Sequence, residues 1–239
     1  MSIEEKVKEE NYFNFRNVGA EYYSGYDIPN YLRKVLPRNS DANILDIGCG
    51  FGQTLNSLRD KGYANLKGID INDEAIAQCK KLNLDVVKVD DTISYSKLSE
   101  KKFDFIIMSH VLEHIEKDKM IDTLKAIREN LLSDRGKFCV MVPNAQSNTD
   151  SYWRFEDFTH HYLFTAGSLL YVLKAAGFKQ IEFIDPDGLD GVSTLKKPIV
   201  KIFLKVYKFK KNFWNKITAS SYHRASPQIF TFELKALAS

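Results

Sequence analysis

Cysteines are few in this chain, and long apolar runs are missing from it. The three cysteines, Cys49, Cys79 and Cys139, lie far apart in or beside apolar stretches, so neither a disulfide framework nor a zinc cluster is predicted. No apolar run approaches the roughly 18 residues of a membrane-spanning helix. Residues 1–6 carry charges where a signal peptide would be apolar, and we therefore expect a cytoplasmic protein.

Acidic residues are also missing from one long segment. No Asp or Glu occurs from Gly191 to Phe232, whereas nine basic residues do. They are Lys196, Lys197, Lys201, Lys205, Lys208, Lys210, Lys211, Lys216 and Arg224. The rest of the chain has 25 basic and 31 acidic side chains, so a net charge of +3 hides a strongly polarised molecule.

Apolar runs alternate with helical patterns along the 239 residues, which suit a single domain. This alternation predicts an α/β fold with a parallel sheet covered by helices on both faces. Strands are predicted at 43–47, 66–70, 85–89, 103–108, 137–143, 179–185 and 228–234, and helices near 53–61, 73–81, 116–132 and 167–176, with a weak turn around 94–100.

The first predicted strand ends in a glycine-rich turn, D-I-G-C-G-F-G at residues 46–52, and Asp70 ends the next apolar run. Glycines let a ligand approach the backbone closely, and an acidic residue about 20 positions later can hold ribose hydroxyls. A dinucleotide-binding fingerprint would place its third glycine where this chain has Gln53. The spacing therefore points away from a dinucleotide-binding site.

This motif resembles the S-adenosylmethionine site of class I methyltransferases. A second marker is the segment 103–115, whose L-E-H ending is typical of small-molecule methyltransferases. The resemblance covers about 40–185 and the last strand, and it implies a Rossmann-like sheet of seven strands with the seventh antiparallel between the fifth and sixth. S-adenosyl-L-methionine would be the methyl donor and S-adenosyl-L-homocysteine the product. The cofactor-binding residues would be Asp46, Gly48, Cys49, Gly50, Gly52, Asp70, Ile71, Ser109 and, near the adenine amino group, Asp90 or Asp91.

Methyl transfer from a sulfonium is an in-line displacement, and an alcohol acceptor also needs a base for its proton. Histidine suits this role because its ordinary pKa is about 6.5. Residues 157–165 resemble the D-x-T-H-x-x-x-F-T segment that the family carries over the acceptor pocket, which makes His160 the first candidate base. His161 and His110 are the alternatives.

Four side chains near this segment are predicted to bind the acceptor or to position the base. Trp153 could stack on a sugar face, and the guanidinium of Arg154 could bind an anionic acceptor. Either Glu156 or Asp157 could orient the imidazole of His160.

A possible metal site arises from the spacing of His110, Glu113 and His114. The three side chains would share one face if a helix began at His110. Some quinone O-methyltransferases use an E-x-x-E-H version of this arrangement, and here His110 stands in place of the first glutamate. We therefore expect Glu113 and His114 to be structural hydrogen-bonding groups, and turnover to need no metal.

The basic segment also has a helical apolar pattern after Pro198, a good first helical residue. The stripe consists of Ile199, Ile202, Phe203, Val206, Phe209, Phe213 and Ile217. Docking of this stripe on its own domain or on a second subunit is expected, and contact of 196–217 with an anionic membrane surface is the alternative. Nucleic acid is not expected, because the aromatics do not alternate with the lysines.

The expected organisation is one methyltransferase domain in four parts: an N-terminal helical cap (1–40), a cofactor-binding core (41–185), a basic helical insertion (186–227) and the last strand (228–239). The closing segment 221–230 and the basic insertion resemble methyltransferases of bacterial surface-polysaccharide synthesis. The resemblance implies a cytoplasmic O-methyltransferase, monomeric or homodimeric, for a sugar or other polar anionic glycan precursor, with peripheral contact at the inner membrane face as an option. The alternatives are an N- or O-methyltransferase of a quinone or other small metabolite, and a non-catalytic cofactor-binding partner subunit.

Overall fold

The computed structural model describes residues 12–239, so the charge pattern of residues 1–6 and the start of the predicted 1–40 cap lie outside the described residues. The strands are β1 (Ile44–Ile47), β2 (Leu66–Asp70), β3 (Val86–Lys88), β4 (Phe103–Ser109), β5 (Leu132–Pro143), β6 (Ile181–Phe183) and β7 (Glu233–Ala238). The helices are α1 (Tyr12–Phe15), α2 (Asn30–Arg33), α3 (Gln53–Asp60), α4 (Asp73–Lys81), α5 (Thr92–Leu98), α6 (Lys117–Ala126), α7 (Tyr152–Glu156), α8 (Ala166–Ala175) and α9 (Lys197–Ile217).

The seven strands form one sheet in the order β3-β2-β1-β4-β5-β7-β6. The first five strands are parallel, and β7 runs antiparallel between β5 and β6. The predicted Rossmann-like sheet is therefore confirmed, including the place and direction of the seventh strand.

Helices cover the sheet on both faces because the side chains of its central strands alternate between two cores. Ile106 of β4 belongs to one core with Leu124 of α6. Its neighbour Phe105 belongs to the other core with Leu58 of α3. Successive strand side chains point to opposite faces, so a strand buried on both sides appears in sequence as a continuous apolar run.

The last strand begins later than predicted, at Glu233 instead of 228. Its partner β5 ends at Pro143, which pairs with Glu233, so no ladder extends further back. The side chain of Asn144 instead donates to the carbonyls of Ile229 and Thr231, at 2.9 Å each. The predicted strand 228–234 is thus an extended segment that the Asn144 side chain holds in place, and only its last residues, 233–234, belong to β7.

Two other predicted elements change in kind. The weak turn near 94–100 is the helix α5, which Asp91 caps by accepting from the Ser94 amide at 2.7 Å. The predicted helix 116–132 is α6 followed by a π-helical turn, Ile127–Leu131. Across residues 12–239, each helix is too short or too polar to cross a membrane.

Candidate active site

The turn after β1 keeps the backbone open to a ligand. Gly50 has a φ of +52°, a conformation that side-chain-bearing residues rarely adopt. A methyl group added there would meet nothing closer than Gln53 at 3.8 Å and the Phe13 ring at 3.9 Å. At Gly48, by contrast, an added methyl group would lie 2.2 Å from the Val111 side chain. Gly48 therefore permits close packing with Val111, whereas at Gly50 it is the positive φ, and not crowding, that favours glycine.

The carboxylate of Asp70 ties this turn to the end of β2. It accepts from the amide of Gly50 at 2.8 Å and from the amide of Asn72 at 2.9 Å. Burial raises the pKa of Asp70, although these amide donors oppose the shift. Burial, with Asp70 nearby, also raises the pKa of Asp46 to about 8, so Asp46 is mostly protonated at neutral pH. The two acids thus lie close together at the carboxyl ends of β1 and β2.

The remaining predicted cofactor residues surround the same edge of the sheet. Cys49 is buried, so only its backbone is available to a ligand, while Ile71 is half-exposed at the rim and Ser109 ends β4. The carboxylate of Asp91 caps α5 and also accepts from the Ser94 hydroxyl at 3.0 Å. Asp90 is exposed beside it. The helix cap thus engages both oxygens of Asp91, which makes Asp90 the better candidate of the two for the predicted adenine contact.

Residues near the N-terminus, within the predicted cap at 1–40, cover the cofactor turn. The ring of Phe13 lies 4.3 Å from that of Phe51 in the glycine turn. Tyr12 donates to Asp157 at 2.8 Å, and Arg16 pairs with the same carboxylate at 2.7 Å. The aromatic run at 12–15 was the only available signal. This segment therefore joins the cofactor turn to the loop that follows β5.

We call this loop, residues 144–165, the acceptor loop. Asp157 is a buried residue of the acceptor loop that holds it in place through hydrogen bonds and an ion pair. Burial by itself would raise the pKa of Asp157, but donors from Thr159 and Tyr12 and the nearby His114 lower it to about 2. The Thr159 hydroxyl donates to Asp157 at 2.7 Å and lies 2.8 Å from Nδ1 of His114. Since its one hydrogen goes to Asp157, Nδ1 of His114 must donate to the hydroxyl.

His160, the first candidate base, is only 5% exposed. Its Nδ1 lies 2.5 Å from the carbonyl of Trp153, so Nδ1 carries a hydrogen and donates it to this carbonyl. The Nε2 atom of His160 lies 3.6 Å from Asp157 and 3.9 Å from Glu113. Glu113, His114 and His160 each bring one potential ligand atom within 4.8 Å of the others. These three residues form a carboxylate–histidine cluster.

His110 does not take part in that cluster as the spacing suggested. It has a φ of +54°, and the short 3-10 turn Leu112–His114 begins after it, so no helix aligns His110 with His114. Its ring lies 3.3 Å from Glu113 and 3.1 Å from Glu233. Burial alone would lower the pKa of His110, yet the two carboxylates raise it to about 10. A protonated imidazole is a donor at neutral pH, unlike the free base considered from the sequence.

The other predicted acceptor residues divide into loop supports and exposed groups. Arg154 donates to the carbonyl of His160, so it braces the acceptor loop. Glu156 is exposed, and it is Asp157 that lies beside the imidazole of His160. Trp153 packs edge-on against Phe232, with ring centres 5.0 Å apart. Within residues 12–239 the buried Nε1 of Trp153 has no hydrogen-bond partner.

His161, the remaining alternative base, is fixed through its backbone, whose amide donates to the carbonyl of Glu113 at 2.9 Å. The sequence did not indicate Glu233 or Phe232 as site residues. Both come from the segment around the start of β7, which reaches the site only because β7 inserts next to β5.

Several known proteins are similar to this chain. A family model described as a methyltransferase domain matches residues 19–182. An uncharacterised protein of Methanocaldococcus jannaschii is 25% identical over 194 residues, which cover 76% of this chain and 80% of that protein. A ubiquinone biosynthesis O-methyltransferase of Rickettsia bellii is 33% identical over 95 residues, which cover 37% of this chain and 39% of that enzyme. The crystal structure of a SAM-dependent methyltransferase from Archaeoglobus fulgidus has a TM-score of 0.63 at 21% identity, covering 95% of this chain and 98% of that one.

The family match includes the glycine turn, Asp70 and the acceptor loop, and it covers well over half of the chain. The Archaeoglobus structure shares the fold along nearly the whole length. The chain therefore belongs to the methyltransferase domain family, and it is an S-adenosylmethionine-dependent methyltransferase.

Proposed function

We propose that this enzyme methylates a hydroxyl group of a polar, anionic acceptor at the inner face of a membrane, such as a phosphate-bearing or lipid-linked precursor of a surface glycan. The observation that carries the proposal is the position of α9 beside the acceptor loop. Tyr207 of α9 donates to Asn148 of that loop at 3.2 Å. Lys208 pairs with Asp187 at 2.8 Å.

The apolar stripe of α9 is turned away from the protein. Its members, together with the neighbouring Trp214, are between 47% and 71% exposed, and α9 has no buried residue. Tyr207, Lys208 and Asn212 make the contacts with the body. The expected docking of the stripe on its own domain is therefore wrong.

Charge favours a lipid surface over a second subunit as the partner of this stripe. A two-fold dimer through α9 would bring together two copies of a segment that has nine basic residues and no acidic one. An anionic membrane suits both the apolar stripe and the basic residues of this segment, since apolar side chains enter the interface and lysines pair with lipid head groups. Peripheral binding through 196–217 follows, and it brings the acceptor loop close to the lipid.

The chemistry of the proposed step needs an acceptor oxygen in line with the donor methyl group. The oxygen forms a bond to that carbon as the carbon–sulfur bond breaks, and S-adenosylhomocysteine leaves. His160 is the residue on which removal of the hydroxyl proton depends in this proposal, because it belongs to the acceptor loop and the Trp153 carbonyl holds its ring through Nδ1.

A quinone is the second candidate acceptor. It is favoured by the 33% identity to the ubiquinone biosynthesis O-methyltransferase of Rickettsia bellii, a match of 95 residues. A quinone precursor is also a lipid with an aromatic hydroxyl, so it fits a membrane-bound enzyme equally well.

The test is transfer of a labelled methyl group from S-adenosylmethionine into a lipid extract presented in anionic vesicles. We expect label in the fraction that binds an anion exchanger and that releases a methylated sugar on acid hydrolysis. Label in the neutral, quinone-containing fraction selects the second candidate. Label only in water-soluble products contradicts the membrane part of the proposal.

A further inference from the structure

We propose that four aromatic side chains, which we call the aromatic row, bind the sugar rings of the acceptor beside the candidate base. They are Tyr207, Phe230, Phe232 and Trp153. Three separate parts of the chain supply them: α9, the segment before β7 and the acceptor loop. The inference rests on the proposed function and extends it, because it assigns the saccharide part of the acceptor to a site.

Ring contacts connect α9 with the acceptor loop. The ring of Tyr207 packs edge-on against that of Phe230, with ring centres 5.4 Å apart. Phe232 follows two positions later, at most about 7 Å further along the chain. Its ring packs edge-on against Trp153, with ring centres 5.0 Å apart. Side chains that are distant in the sequence thus lie in one row.

The backbone that carries Phe230 and Phe232 is held in place without a strand ladder. The side chain of Asn144 donates to the carbonyls of Ile229 and Thr231, at 2.9 Å each. The backbone amide of Asn144 donates to the carbonyl of Phe232 at 3.0 Å. Because these bonds fix the segment before a ligand arrives, binding costs little conformational freedom.

The inner end of the aromatic row lies beside the candidate base. The ring of Trp153 contacts Phe232, and the carbonyl of Trp153 accepts from Nδ1 of His160 at 2.5 Å. The Phe232 ring also stacks on that of His110, directly after β4, with ring centres 6.0 Å apart. Ligands of such sheets bind beyond the carboxyl ends of the strands. A sugar ring on Phe232 therefore presents its hydroxyl groups near the proposed reaction centre.

The rings of the row are fixed by neighbours but are not enclosed by them. Phe232 is 43% exposed although it contacts two other rings. Tyr207, Phe230 and Trp153 are half-buried. Core rings such as that of Phe138 are fully buried instead. The row thus keeps ring surface open to a ligand, while its own packing sets the ring positions.

Polar groups beside the row favour a saccharide over a quinone. The Tyr207 hydroxyl donates to Asn148 at 3.2 Å, and the Asn212 amide donates to Gln228 at 3.3 Å. A sugar ring has apolar C–H faces and hydroxyl groups around its edge, so it can use aromatic faces together with hydroxyl and amide groups. The long apolar tail of a quinone would need an uninterrupted apolar lining.

The outer end of the row carries a positive charge that suits a phosphate. Nζ of Lys211 lies 5.7 Å from the centre of the Tyr207 ring. Among residues 12–239, the lysine of α9 that pairs with a carboxylate is Lys208, at 2.8 Å from Asp187. The row therefore fits a saccharide whose phosphate lies toward α9 and whose acceptor ring lies on Phe232. In a lipid-linked glycan the phosphate is the group next to the lipid, which agrees with α9 at the membrane.

The kinetic test compares Phe230→Leu and Phe232→Leu with the wild type. The acceptor is the anion-exchange fraction of the lipid extract, presented in anionic vesicles. Leucine keeps an apolar side chain but removes the aromatic face, so we expect KM for the acceptor to rise roughly 3–10-fold with little change in kcat. Phe230→Tyr and Phe232→Tyr should restore the wild-type KM. Tyr171→Leu is the control, since Tyr171 is an aromatic residue of α8 that is 69% exposed.

A fluorescence titration measures saccharide binding without a membrane and without turnover. The chain has two tryptophans, so Trp214→Phe leaves Trp153 as the single reporter. The probe is the mixture of water-soluble glycan phosphates that mild acid releases from the same extract. We expect a saturable change in Trp153 emission, and the added Phe232→Leu substitution should raise the half-saturating concentration roughly 3–10-fold.

Circular dichroism and titration with S-adenosylhomocysteine show whether each variant is folded and binds the cofactor. A labelled glycan whose KM is the same in both leucine variants as in the wild type overturns the aromatic row and leaves the proposed function intact. So does an equal loss in the leucine and tyrosine variants, because it would not depend on the aromatic face. Label in the quinone fraction contradicts the proposed glycan acceptor, and the saccharide assignment then fails with it.

Discussion

At the scale of single residues, Asp70 links the glycine turn to the end of β2 through two amide hydrogen bonds. If its oxygens also accept from the ribose hydroxyls, Asp70→Ala should weaken binding of S-adenosylhomocysteine by about 1.5–3 kcal/mol, the usual value for hydrogen bonds to a charged group. Calorimetry measures the change. Asp134→Ala is a matched control, because Asp134 is exposed near the opposite end of β5. Equal affinities in the Asp70 variant and the wild type would assign the ribose contact elsewhere.

His160 provides the residue-scale prediction for catalysis. His160→Ala should lower the turnover number by about 10²–10⁴-fold, the range found for loss of acid–base catalysis. Cofactor affinity should hardly change, since the neighbours of the ring are Trp153, Asp157 and Glu113. Steady-state kinetics separate the two effects. A variant with near-normal turnover and a raised KM would make His160 an acceptor-binding residue and direct attention to His161.

The sequence indicated that the glycine turn and Asp70 lie together but not that Glu113 and His160 do, and the reason is physical. The glycine turn and Asp70 are local signals, because each follows a strand whose end must lie at the same edge of a parallel sheet. Glu113 and His160 meet only because the acceptor loop folds back over the turn after β4. Residue spacing within one segment cannot reveal such a contact, and it suggested the face starting at His110 instead.

At the scale of elements, α9 combines regular helix geometry with an unusual exposure. The 3.6-residue period correctly indicated the helix and its stripe, since periodicity is intrinsic to the segment. It could not indicate which face meets the body, because contacts from Tyr207 and Asn212 decide the orientation. The start of β7 was misplaced for a similar reason, since the Asn144 side chain replaces a strand ladder there.

The exposure of α9 leads to a prediction for the stripe. Phe209→Asp should weaken binding to vesicles that contain phosphatidylglycerol by roughly 10–100-fold, because insertion of an aromatic side chain is worth about 1.5–3 kcal/mol. Phe209 is 71% exposed, so the melting temperature should not fall. Leu98→Asp is the control, since Leu98 is 82% exposed on α5 and gains the same charge. If both variants float with vesicles as well as the wild type, the stripe faces something other than lipid.

At the scale of the whole molecule, charge and cofactor chemistry are spatially separated. The basic residues of 196–224 belong to the insertion before β7, while the buried acids Asp46 and Asp70 lie at the carboxyl ends of β1 and β2. A molecule with this polarity would bind an anionic surface in one orientation, with α9 toward the lipid. The acceptor loop contacts α9, so this orientation also sets which acceptors can reach the site.

This polarity predicts that salt weakens membrane binding but has little effect on cofactor binding. Each lysine near an anionic membrane contributes about 1 kcal/mol, and the effect disappears beyond a Debye length, which shrinks from about 10 Å at 0.1 M salt to 3 Å at 1 M. Raising the salt concentration over this range should therefore release the protein from anionic vesicles and slow methylation of a vesicle-borne acceptor. Binding of S-adenosylhomocysteine, measured in the same buffers, should change little, because Asp70 is held by buried amide contacts. Vesicle binding that persists at 1 M salt would show that the apolar stripe alone carries the attachment, and the basic residues would then need another partner.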